Sequence, residues 1–360
     1  MSKDSKPMST PAPTLRTGGA QGYLRIATEE AFAPPELVKM YLQVLDGPNV
    51  DPGFESLMGF YLRSTAPRAQ FISDRLQNLG KQRIADMDER GIDKQVIGLT
   101  APGTQVLSPE AGAALATLAN DQLGEACLNH PDRFVGMAAC APHDLKGGAK
   151  EIERAVTKYG FRAVVINSHI HGEYLDNPKF YPVLEVCQAL DVPIYLHPQT
   201  PPRSMIGPML EAGLDGAIFG FGVETGLHAL RLITSGTLDR FPKLRVIIGH
   251  MGEALPYWGY RLDYMHRAGV SSKRYPFMGP IAKTPTDYLR ENFYITNSGV
   301  AWEPAIKFAQ QVCGMDRVLY AMDYPYQCPA EEVVALDAMD MPLADKKMFF
   351  QTNAERVFKL

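Results

Sequence analysis

One pattern recurs eight times along the chain: a short, nearly unbroken apolar run, with stretches of helical spacing between several of the runs. The runs are YLRIAT (23–28), KQVIGLT (94–100), FVGMAA (134–139), FRAVVIN (161–167), VPIYLH (192–197), LRVIIGH (244–250), FYITNS (293–298) and RVLYAM (317–322). Most are continuous rather than alternating, as expected of parallel strands covered on both faces. LQNLGKQRIADMDERG stops at Gly91 and GGAKEIERAVTKYG at Gly160. Glycine is the residue that most readily takes the left-handed conformation just past a helix. Eight strand–helix alternations predict an α/β fold, a (β/α)8 TIM-like barrel. A doubly wound open sheet is the competing arrangement, but no GxGxxG follows an early strand.

Two connections are too long for simple crossovers, residues 42–75 after the first strand and 198–226 after the fifth. Insertions of this length at a barrel's top face act as lids or subunit contacts. The first 20 residues are polar and rich in Ser, Pro and Thr, and read as a disordered N-terminal arm. Residues 21–360 show no repeat and no linker, so they form a single barrel domain.

Composition narrows the function. A net charge of −4 argues against nucleic acid as a partner, and 46% hydrophobic with 21% charged residues is ordinary for a globular protein. No run approaches the roughly 20 apolar residues that span a bilayer, so no membrane partner is expected. The five cysteines are scattered without a CxxC pair, which suits a reduced, cytoplasmic protein.

The candidate chemistry lies at strand ends. Glu29 closes LRIATEE, His197 closes VPIYLHP and Asp323 closes RVLYAMDYP. A lone acid after a strand is usually a turn or helix cap. Three ligand-type residues at the carboxyl edge, where barrel enzymes carry their chemistry, instead predict a divalent cation held by one nitrogen and two carboxylates. His250, in GHMGE at the end of the sixth run, adds a group able to relay a proton.

PDRFVGMAACAP, LDVPIYLHP, FPKLRVIIGHMGE and RVLYAMDYPY resemble successive blocks of the amidohydrolase-related aromatic acid decarboxylases, and the likeness runs from about residue 22 to the end. RIATEEAFA, GLDGAIFGFGVETG, GHMGEALPYWGYRLDYMH, TNSGVAWEPAIKF and AMDYPYQ are most similar to the branch acting on 5-carboxyvanillate. One departure separates this chain from most of the wider family. Ala31 stands where a first-strand histidine ligand is usual, a loss that the carboxyvanillate branch shares. Fewer protein ligands leave more positions for water or a chelating substrate, and the resemblance implies Mn²⁺, with Zn²⁺ compatible with the same donors.

The implied reaction is non-oxidative decarboxylation of 5-carboxyvanillate to vanillate and CO2, in the breakdown of lignin-derived biphenyls. Direct loss of CO2 would leave an unstable aryl carbanion. Protonating the ring carbon that bears the carboxylate avoids it, because CO2 then leaves as aromaticity returns. The resemblance implies that Glu29, His197 and Asp323 hold the metal, that Asp323 also protonates the ring, and that His250 assists it with Glu253 behind. Arg68 and Arg261 match positions that contact substrate, where a planar guanidinium pairs well with a second carboxylate. Tyr326 and Tyr61 are further candidates to touch the substrate, a small aromatic carboxylate. The HxH of His169 and His171 is expected to be wall and loop, because amidohydrolase HxH ligands belong to the first strand. The alternatives are decarboxylation of a related hydroxybenzoate (2,6- or 2,3-dihydroxybenzoate type) and a metal-dependent lactone hydrolase. The apolar segments GLDGAIFGFGVETG and YWGYRLDYMH are candidate contacts of a homodimer or homotetramer.

Overall fold

The computed structural model describes Leu15 and residues 17–360. Eight parallel strands pair in chain order: β1 (Ile26–Phe32), β2 (Lys94–Leu99), β3 (Phe134–Ala138), β4 (Ala163–Asn167), β5 (Ile194–His197), β6 (Val246–Ile248), β7 (Phe293–Thr296) and β8 (Val318–Leu319). The two edges meet through Thr28 N–H donating to Tyr320 O (3.1 Å) and Ala31 N–H donating to Tyr324 O (2.7 Å). The result is a (β/α)8 barrel, and the consecutive strand order excludes a doubly wound sheet. Every residue of β1, β4, β6 and β7 is buried, so both faces need apolar or fully satisfied side chains. That double burial is why the sequence runs are continuous.

The principal helices between the strands are α1 (Lys81–Glu89), α2 (Pro109–Asn129), α3 (Gly148–Tyr159), α4 (Tyr181–Ala189), α5 (Gly220–Thr234), α6 (Leu255–Ser272) and α7 (Glu303–Cys313), and α8 (Ala330–Asp337) follows β8. Gly91 and Gly160 end their helical stretches at φ 66° and 69°, the left-handed stop expected of them. No helix among the described residues is long and apolar enough to cross a membrane.

Three boundaries differ from the sequence reading. β1 does not stop at the acids but continues through Glu29 to Phe32. Ala27 pairs with Gln95 but Glu30 with Ile97, so one extra residue bulges from β1 at Thr28–Glu29. The acids stay in the strand because each is buried against polar partners. β8 is short, Val318–Leu319, although beyond it Tyr320 and Tyr324 still accept from the backbone of β1. Of the expected N-terminal arm, residues 1–14 and 16 lie outside the described part. Residues 18–20 form a turn, with Gly18 N–H donating to Asp93 Oδ1 at 2.5 Å.

Both long connections carry helices. Within 42–75, short helical segments follow Asp51, whose side chain caps the first by accepting from Gly53 and Phe54 N–H. The helix Pro67–Leu76 completes that insertion. The second insertion holds the helix Arg203–Ala212 and a loop that leaves Ile218 and Phe219 exposed.

Candidate active site

The β1 bulge aims the Glu29 carboxylate into the barrel mouth, 2% exposed. Its Oε2 accepts from the hydroxyls of Tyr195 and Thr296 (the latter at 2.9 Å). Tyr195 lies two residues before His197, so both β5 side chains point inward. β6 passes so close that a Cβ at Gly249 would stand 2.7 Å from Glu29 Oε2. The other oxygen, Oε1, has no hydrogen-bond partner although it is buried. It lies 3.5 Å from His197 Nε2 and 3.7 Å from His250 Nε2.

His197 ends β5 with Nδ1 donating to Pro198 O at 2.8 Å, which leaves the Nε2 lone pair free. Burial lowers its pKa, against the pull of Glu29, and keeps the ring neutral. Asp323 follows β8 in the left-handed region, φ 70°. Burial and then the Glu29 charge push its carboxyl well above the usual range. One ligand atom each from Glu29, His197 and Asp323 lies within 4.8 Å of the others. Two desolvated carboxylates, an orphaned oxygen and a free imidazole lone pair fit a divalent cation, whose charge relieves the repulsion between the acids.

After β6 the chain makes a left-handed turn, with φ positive at all five residues from His250 to Ala254. Such backbone costs about 1 kcal/mol or more per non-glycine residue. Here it returns Glu253 beside His250, with Oε1 accepting from Nδ1 at 2.8 Å. Burial disfavours the His250 cation, but Glu253, Glu29 and Asp323 outweigh it and push the pKa up to about 10. A cation between Glu29 and Asp323 offsets their share and leaves Glu253 as the main partner.

His197, His250 and Asp323 open into a cavity of about 330 Å³ that Tyr61, Arg68 and Tyr326 also line. Arg68 donates to Tyr326 O at 2.7 Å, and the Tyr326 hydroxyl pairs with Thr100 Oγ1 at 2.6 Å. Tyr61 packs edge-on against Tyr326 with ring centroids 5.3 Å apart. Arg261 is not brought there. It is exposed on α6 and lines another cavity with His266 and Arg274.

His169 and His171 line a separate cavity of about 720 Å³. His169 Nδ1 accepts from Gly172 N–H and its Nε2 donates to Thr200 O, both at 3.1 Å, so neither nitrogen is free. The sequence reading missed Tyr195, Thr296 and Glu30. The period of two from His197 back to Tyr195 was a usable signal for the first.

Residues 65–360 match the family model described as Amidohydrolase. The crystal structure of 5-carboxyvanillate decarboxylase from Novosphingobium aromaticivorans, complexed with manganese and 4-hydroxy-3-methoxy-5-nitrobenzoic acid, is 58% identical to this chain. It covers 96% of this chain and 99% of that one, with a TM-score of 0.95. Dihydroxybenzoic acid decarboxylase from Polaromonas, with bound manganese and 2-nitroresorcinol, is 32% identical, covers 94% and 97%, and has a TM-score of 0.81. Gamma-resorcylate decarboxylase from Rhizobium is 33% identical over 344 residues, 93% of this chain and 98% of the relative. The chain belongs to the amidohydrolase family.

Proposed function

We propose that this chain is a Mn²⁺-dependent carboxy-lyase that converts 5-carboxyvanillate to vanillate and CO2. The observation that carries the reading is a cavity that His197 and Asp323 share with Arg68, with Glu29 clustered beside both ligands, in a chain so similar to a manganese-bound 5-carboxyvanillate decarboxylase. When bound, the metal supplies a Lewis acid for the phenolate and carboxylate oxygens. The Arg68 guanidinium pairs with the second carboxylate and sets the ring's orientation. Tyr61 and Tyr326 wall the ring. Asp323 delivers a proton to the carbon that bears the departing carboxylate, and His250, oriented by Glu253, keeps that proton available. Zn²⁺ suits the same donors, so the metal is tested with the substrate.

The exposed aromatic side chains of α6 support self-association. Tyr257, Trp258, Tyr260 and Tyr264 are 78%, 50%, 85% and 53% exposed, and Trp258 lines one cavity with the exposed Ile218 and Phe219. We read this as the contact of a homodimer or dimer of dimers. Arg261 lies on that helix, so it contributes to a substrate site only as a second copy's residue. The free, scattered cysteines support a reduced cytoplasmic setting.

The test is an ultraviolet assay of Mn²⁺-loaded protein with 5-carboxyvanillate against 2,6-dihydroxybenzoate, with vanillate and CO2 as the expected products. Arg68→Ala should raise KM for the dicarboxylate by about 10- to 100-fold, the worth of a charge-assisted pair, and barely change KM for the monocarboxylate. Preferential turnover of dihydroxybenzoate would move the assignment to that branch. Arg261→Ala should show the same discrimination if the second copy supplies it.

A further inference from the structure

We propose that Glu30 is a positioning residue, gripping the backbone on both sides of Asp323 so that its carboxylate faces Glu29 and His197. This rests on Asp323 being a metal ligand. Glu30 is 1% exposed, and its two oxygens divide between two amides: Oε1 accepts from Met322 N–H at 3.0 Å and Oε2 from Tyr324 N–H at 3.1 Å. Ala31 N–H holds the Tyr324 carbonyl from the other side at 2.7 Å. Residues 322–324 are therefore held through both flanking amides and one carbonyl by two successive residues of β1.

The grip has a reason. Asp323 sits at φ 70°, a conformation that persists in a non-glycine residue only where its surroundings enforce it. A carboxylate is the side chain that can accept at both ends and donates at neither. Behind it, Gln95 Nε2 lies 3.4 Å from Glu30 Oε2, and Arg83 donates to Gln95 Oε1 at 3.1 Å and Ala31 O at 2.6 Å. The Arg83 guanidinium also stacks 4.6 Å from the Tyr324 ring, whose hydroxyl donates to Asp86 at 2.8 Å. The bulge makes the arrangement possible. Neighbouring strand residues normally face opposite ways, and here one acid of the pair lines the metal cluster while the next sets the backbone of the opposite ligand.

Glu30→Gln keeps the shape but turns an amide donor toward one backbone N–H. The experiment measures Mn²⁺ affinity from the electron paramagnetic resonance signal of free aquo-Mn²⁺, with kcat and KM at saturating metal. Glu30→Gln is expected to weaken Mn²⁺ binding by about 10- to 100-fold, as for other residues that orient a ligand, and to lower kcat with little change in KM. Glu30→Asp, which keeps the carboxyl group, should retain part of the affinity and serves if the Gln variant does not fold. Asn120→Ala is the comparator. Asn120 grips Ala139 in the same manner, accepting its N–H at 2.8 Å and donating to its carbonyl at 2.9 Å, at a strand end without a metal ligand. It should lower Tm and leave Mn²⁺ affinity within about twofold. Unchanged Mn²⁺ affinity in the Glu30 variants, or an equal loss in Asn120→Ala, would overturn the proposal. His197→Ala binding Mn²⁺ like the parent would instead overturn the triad, and this proposal with it.

Discussion

At the end of β4 the chain carries His169 and His171 in an HxH, and near the ends of β5 and β6 it carries His197 and His250 in no recognisable pair. Both sets stand on the same carboxyl edge of the barrel. His169 has both ring nitrogens committed to backbone groups. Nearby on α5, His228 accepts Leu175 N–H on Nε2 at 3.0 Å, so Nδ1 carries the proton toward Ser168 Oγ at 3.1 Å. His197 and His250 each spend only Nδ1, on Pro198 O and Glu253, and point Nε2 at the orphaned oxygen of Glu29. A histidine reacts through the nitrogen its neighbours leave free, and the neighbours are not written in the spacing of a motif.

The largest separation between the two regions should appear on removing one ring from each. His197→Ala deletes the only nitrogen of the triad and should lower kcat/KM by about 10³-fold with loss of tight Mn²⁺ binding. His169→Ala should leave one Mn²⁺ per chain and cost mainly stability, about 1–3 kcal/mol for stranded backbone partners. Metal analysis with a denaturant melt of each variant checks both, and loss of metal in His169→Ala would erase the distinction.

Within the reactive region, His250→Asn should lower kcat by about 10²-fold, the usual scale of a proton-handling group. Glu253→Gln removes the charge that orients His250 and should cost about 10-fold. The order of these two effects is the informative part. A larger loss at Glu253 would place the essential charge on the carboxylate rather than on the imidazole it holds.

On the β4 side the expected signature is acid lability. Burial pushes His228 down to about 3, from an ordinary value of 6.5, so the native state keeps it neutral. Below pH 6.5 the unfolded chain takes up a proton that the folded chain refuses. The stabilisation is therefore complete above that value and falls away as pH drops toward 3. Between pH 6.5 and 5 the loss is about 2 kcal/mol. Denaturant melts at pH 7 and 5 should show a drop smaller by about that amount in His228→Gln. An equal drop in both chains would show that His228 is not the acid-sensitive group.

How far these features could be read beforehand follows from burial. The eight strands were legible because double coverage demands continuous apolar runs, and Gly91 and Gly160 because a left-handed stop favours glycine. The triad residues stood out as polar endings to apolar runs. Tyr195 and Thr296 did not, since both are ordinary strand residues until a carboxylate is found opposite them. Glu30 was hidden for another reason: without the bulge, a second acid beside Glu29 should face the other way. Arg261 stands exposed on α6 and lines a different cavity, which no strand-end pattern foretells. The left-handed turn from His250 to Ala254 left only Gly252 as a hint, because the other four residues avoid that conformation on their own.

The smallest effect is expected at His171, and it tests the HxH most directly. The residue is exposed, sits at φ 50°, and approaches Leu107 O with Nε2 at 3.4 Å, near the limit for a hydrogen bond. Asparagine accepts the left-handed region better than most residues. In His171→Asn the improved backbone preference should roughly offset the removal of so weak a hydrogen bond, leaving stability within about 0.5 kcal/mol of the parent. Activity and Mn²⁺ stoichiometry should be unchanged. A variant that bound no metal would restore the HxH as a ligand pair and require the β4 edge to donate a nitrogen that its present partners already occupy.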